Sequence, residues 1–177
     1  MSRTRDELYF APGVRFADLD FDHGALPSQF GQRITGYYLE PALRLADEGY
    51  AFPAGLLVVC AMDALAKFMT GASSDCIRSL CRNIPDLATD ERAHIFIESF
   101  RNGLVHQALV KDGCEFSYDI NCVAVLNHGR LSVNPKFLAR SVQVLLDDYV
   151  QQLNRTPADK AALARKIKSK FRYELTH

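Results

Sequence analysis

The 177-residue chain has no excess of either charge: Lys+Arg and Asp+Glu both number 21, so the net charge is zero with His neutral. This excludes a globally basic nucleic-acid binder and leaves open only a local basic face. There is also no unbroken apolar run of the roughly 18 residues that a bilayer demands. The longest, around Ala51 to Ala66, is interrupted by Pro53 and Asp63. The opening MSRTRDELYF carries no apolar stretch of the kind a secretory signal needs, so the reading is a cytoplasmic protein with no membrane partner. The five Cys are odd in number and scattered at 60, 76, 81, 114 and 122, which points to reduced thiols rather than a disulfide framework. Cys76 and Cys81 have a spacing that zinc tolerates, yet no second Cys/His pair matches it. Neither a metal nor a cofactor is expected, and no P-loop, dinucleotide fingerprint or H-E-x-x-H motif occurs. What remains is ordinary: 48% hydrophobic and 24% charged residues, in a length suited to one domain.

Along the chain, residues 1–33 read as irregular, punctuated by Pro12-Gly13 and Gly24 to Pro27. Asp18, Asp20 and Asp22 alternate as in a calcium loop, but His23 stands where the turn glycine belongs and Gln29 where the last Glu belongs. Helical patterning begins at Ile34 and runs to Gly49, with a kink or restart at Pro41. A second helix, apolar nearly all round, runs from Pro53 to Thr70 with Gly71 as its stop and Asp63 as its one acid. A third extends from Asp75 to Asn83. Thr89 caps a fourth, whose first turn holds Asp90 and Glu91 and which reaches Gln107. The period then changes. Residues 115–133 alternate and are rich in β-formers around Asn127-His128-Gly129-Arg130, the pattern of a small hairpin near 114–133. Asn134-Pro135 and Thr156-Pro157 open the last two helices. The expected fold is mainly α: one helical-bundle domain over 1–177 with an inserted β-hairpin.

The fourth helix carries Glu98-Ser99-Phe100-Arg101-Asn102-Gly103-Leu104-Val105-His106-Gln107. At about 100° per residue, Ala93, Phe96, Ile97, Phe100 and Leu104 gather on one face, and Glu98, Arg101, Asn102 and His106 lie off it. In the plainest reading this is an exposed helix end, with Glu98 and Arg101 paired at i,i+3 and His106 favoured by the C-terminal dipole. A basic run on the last helix (Lys160, Arg165, Lys166, Lys168, Lys170, Arg172) reads as either a solvated face or an RNA-backbone contact. His128 reads as a turn residue, His94 as a surface residue and Cys60 as core.

Arg101-Asn102-x-x-x-His106 resembles the R-x(4–6)-H signature of the HEPN superfamily, in which Asn commonly follows the Arg. The setting, late in a long amphipathic helix with further helices after it, resembles that family too, and the helix bearing Asp63 resembles the HEPN helix that turns an acid toward the motif. The resemblance implies a HEPN-like bundle with metal-independent endoribonuclease activity, acting as a homodimer with a composite active site. It also implies a toxin or phage-defence setting, in which an antitoxin or regulatory protein is a possible partner. Some family members only bind RNA, a nucleotide or a protein partner, and that is the alternative. The implied catalytic residues are Arg101, Asn102 and His106, and Glu98, Asp63, Lys166 and Lys170 are candidates for holding substrate. Imidazole titrates near neutrality and serves as acid or base, and guanidinium grips phosphate oxygens through two donors. One toxin subgroup carries a Tyr, modified by its antitoxin, two residues beyond the His. Here that position is Ala108.

Overall fold

Thr89 and Asn134, the residues expected to open helices, both do so in the computed structural model. The Thr89 hydroxyl accepts from the Arg92 amide at 3.3 Å. The Asn134 side chain accepts from the Lys136 and Phe137 amides at 3.0 and 3.3 Å, and its own amide donates to the Ile120 carbonyl at 2.9 Å. These bonds explain how so polar a side chain is buried, and they satisfy two amides that the first helical turn leaves unpaired. The structure describes residues 8–22, 24–70 and 76–176, with the backbone alone at Val105 and His106.

The chain is mainly helical, with two small sheets among the described residues. It divides into two compact units, residues 38–145 and residues 1–37 with 146–177.

The larger unit contains α2 (Glu40–Asp47), α3 (Ala51–Thr70), α4 (Cys76–Cys81) and α5 (Asp90–Ile95). A π-helical stretch, Phe96–Asn102, joins α5 to α6 (Gly103–Gln107). Then come β3 (Glu115–Phe116), β4 (Ala124–Asn127), β5 (Arg130–Val133) and the start of α7 (Pro135–Arg155). By length and composition α3 would suffice to cross a membrane, but half of its apolar window is buried within the protein. Val58, Val59, Ala61, Met62 and Leu65 are fully enclosed. Burying each of the larger side chains contributes about 1.5–3 kcal/mol.

The smaller unit pairs β1 (Tyr9–Ala11) with β2 (Val14–Arg15) and adds α1 (Leu26–Ile34), the end of α7, α8 (Pro157–Lys170) and α9 (Arg172–Thr176). Its aromatic core brings Phe10, Phe16 and Phe171 within 5.5–5.7 Å of one another. The Arg33 guanidinium lies 4.7–5.4 Å from the rings of Phe171, Phe10 and Tyr37.

The structure departs from the sequence reading at several places. Residues 1–33 are not irregular throughout, because they hold β1, β2 and α1. Pro27 read as a breaker, but it stands in the first turn of α1, where its missing N–H costs nothing. Leu26, Phe30 and Ile34 then fall on one buried face. Pro41, read as a kink or restart, stands in the first turn of α2, directly after a π-helical stretch, Thr35–Leu39. The predicted hairpin is β4 and β5, paired antiparallel from Ala124↔Val133 to Asn127↔Arg130. Its turn puts His128 and Gly129 at φ 50° and 77°, as a two-residue hairpin turn requires. The alternating run before it forms no single strand. β3 lies on the other edge of β5 and is parallel to it. The last helix breaks at Phe171, whose ring is held in the aromatic core. The third helix ends at Cys81, and its expected start, Asp75, lies outside the described residues, as does Gly71.

Candidate functional site

Asp63 on α3 and Arg101 in the π-helical stretch meet, although 38 residues separate them in the chain. The guanidinium donates to one carboxylate oxygen, Oδ1, from Nε at 3.2 Å and from Nη2 at 3.1 Å. Lys67, one helical turn beyond Asp63, pairs with the other oxygen, Oδ2. Arg101 Nη1 donates to Asn102 Oδ1 at 2.8 Å, and Asn102 Nδ2 donates to Glu98 Oε1 at 3.1 Å. Four residues singled out in the sequence (Asp63, Glu98, Arg101 and Asn102) thus form one hydrogen-bonded chain. The i,i+3 pair of Glu98 with Arg101 is replaced: Arg101 turns to Asp63, and Glu98 takes Asn102. The Arg101 and Asp63 side chains are 27% and 24% exposed, so solvent screens the pair only in part. A guanidinium has five N–H donors. Asp63 and Asn102 take three of Arg101's, so among the described residues two are left unengaged.

The local backbone explains this convergence. Phe96, Phe100 and Leu104 are buried as the helical wheel requires, and the Phe96 and Phe100 rings stack 5.4 Å apart. Ser99 is buried as well, which a regular wheel does not predict. The π-helical stretch spans Phe96–Asn102 and carries the motif's Arg and Asn. Such wide turns bond i to i+5, admit an extra residue and recur at functional sites. The returning chain uses what the widening leaves open. The Lys111 amide donates to the Ser99 carbonyl at 3.1 Å, and the Ser99 hydroxyl donates to Asp112 Oδ2 at 3.3 Å.

Gly103 belongs to this clasp rather than to any chemistry. A Cβ on it would stand 2.5 Å from the Leu109 carbonyl oxygen. Alanine in a helix interior gains about 1 kcal/mol over glycine, but a clash with backbone outweighs that. Gly103→Ala is expected to destabilise the protein by about 1–3 kcal/mol in urea denaturation. Ala108 ends α6 in the left-handed region, at φ 55°. That conformation costs a non-glycine residue roughly 1–2 kcal/mol, partly offset by the lower unfolded-state entropy of alanine. Ala108→Gly is therefore expected to raise stability by up to about 1 kcal/mol, read as a higher urea midpoint.

The His106 side chain lies outside the described residues; its backbone belongs to α6. Lys166 and Lys170 lie on α8, in the other unit. His94 is exposed, as expected. Cys60, read as core, is half-buried. Burial raises its thiol pKa, and the Asp63 carboxylate pushes it the same way. Burial raises Cys81 to about 12, so neither thiol ionises readily near neutrality. Among the described residues no group of three or more His, Cys, Asp or Glu could hold a metal ion. The sequence reading missed Lys67, although its i,i+4 spacing from Asp63 on one helix was the available signal. It also missed the Ser99–Asp112 contact, which depends on the loop's return and has no local signature.

Compared with models of protein families, with curated proteins and with solved structures, the chain finds no match in any of the three.

Proposed function

We propose that this chain is a metal-independent endoribonuclease of the HEPN type. One observation carries the reading: an acid on the buried helix α3 fixes the guanidinium of Arg101 beside Asn102, on the helix that continues to His106. In the proposed reaction a 2′-hydroxyl attacks the adjacent phosphorus and gives up its proton to a base. The bond to the 5′-oxygen breaks, that oxygen receives a proton from an acid, and a 2′,3′-cyclic phosphate remains. An imidazole serves either proton transfer, and Arg101 neutralises the charge that develops on phosphorus. One chain brings one such His. A two-fold dimer that faces motif to motif supplies two His and two Arg around one phosphate. A toxin or phage-defence effector, with an antitoxin or regulatory protein as partner, is the setting that the motif's family suggests.

The test is incubation of purified protein with total RNA in EDTA. Discrete cuts bearing 2′,3′-cyclic phosphate ends support the reading, and intact RNA at high enzyme excess overturns it. A second reading has one observation in its favour: Arg101 already spends three N–H groups inside the protein. It is a non-catalytic module that binds RNA or a nucleotide, and it predicts that RNA is retained uncut in the same experiment.

A further inference from the structure

Within the smaller unit, Phe21, Lys168, Arg172, Leu175 and Thr176 line an open pocket of about 370 Å³. Its floor is apolar, formed by Phe21 and Leu175, and two cations stand at it. The Lys168 ammonium lies 4.5 Å from the centre of the Phe21 ring, and Arg172 comes one turn later in the chain. The one hydroxyl on the wall, Thr176 Oγ1, already donates to the Arg172 carbonyl at 2.9 Å. The only charged residues that line the pocket are these two cations, with Glu174 and the Asp20 and Asp22 beside Phe21 outside the lining, so the pocket itself favours an anion.

We propose that this pocket binds a single-chain anionic amphiphile, with a medium-chain carboxylate as its simplest form. The apolar chain lies against Phe21 and Leu175, and the carboxylate meets Lys168 and Arg172, the guanidinium through two parallel N–H donors. The volume sits at the small end of the range for ligand pockets, which fits one chain rather than a two-chain lipid. This site does not depend on the ribonuclease reading, so either can fail alone.

Isothermal titration with decanoate, kept below its micelle concentration, tests the proposal on the intact protein. Saturable binding to one site is expected, and decylammonium, with the same chain and the opposite head, is expected to give no saturable heat. Lys168→Gln with Arg172→Gln changes two exposed side chains, so the circular dichroism spectrum should not alter. Decanoate affinity in that double variant should fall about tenfold or more. Four results each overturn the proposal: no saturation by decanoate, equal binding of decylammonium, an unchanged double variant, or adsorption to phosphatidylglycerol vesicles without binding of monomeric decanoate.

Discussion

His106→Ala is expected to remove RNA cleavage while leaving the helical circular dichroism signal intact. General acid–base catalysis by a positioned side chain contributes about 10²–10⁴ in rate, and in a composite dimer site this variant deletes both imidazoles at once. Arg101→Ala should lower the rate by about 10²–10³ through lost stabilisation of the phosphorane. It should act on stability as well, because it leaves Asp63 with Lys67 as its remaining cationic partner among the described residues. The two variants therefore separate chemistry from structure. His106→Ala should reduce cleavage without shifting the denaturation midpoint, and Arg101→Ala should change both. Arg101→Lys sharpens the comparison: an ammonium keeps the charge but loses the two-pronged grip on Asp63. Cutting by His106→Ala at the wild-type rate would remove the ribonuclease assignment.

Phe100→Ala should give the largest loss of stability, about 3–5 kcal/mol. The ring is wholly buried, stacks on Phe96 at 5.4 Å, and meets the edge of Phe116 at 4.9 Å. Neighbours from a helix and a strand enclose it, so a void there cannot close by moving one side chain. Against a typical total of about 5–15 kcal/mol, such a loss brings the protein near its unfolding threshold. The melting temperature should fall by on the order of 10 °C. Urea denaturation checks this directly: the midpoint should drop while the slope stays constant. Ile97→Ala, three positions earlier on the half-buried flank, serves as the control and should cost clearly less. A Phe100→Ala loss below about 1 kcal/mol would show that the π-helical stretch is not anchored by its aromatic pair.

Much of the helical framework was legible in the sequence, because its signals are local. Thr89 and Asn134-Pro135 announced their helices through side-chain capping and a favourable proline, and the 20-residue α3 announced itself by apolar content. What escaped depended on tertiary context. Pro27 looked the same as a breaker and as a first-turn residue until Leu26, Phe30 and Ile34 had a core to face. β3 could not be foreseen as parallel to β5, since Glu115-Phe116 is too short to carry a register of its own. In the candidate site, the sequence supplied Asp63, Glu98, Arg101 and Asn102. It did not supply their order of bonding, because the i,i+3 pairing rule assumes a regular helix and this one is widened at the motif.

That widening has a consequence for how such a motif is recognised at all. Spacing along a chain stands in for direction only while every residue advances the helix by the same rotation. Between Phe96 and Asn102 that rotation is smaller, so the angular phase between Arg101 and the turn before it differs from what the same letters would have in a uniform helix. Two chains could share the letters Arg-Asn-x-x-x-His and aim them along different bearings, and two with different counts could aim them alike. The wide turn acts as a vernier, setting direction independently of residue number.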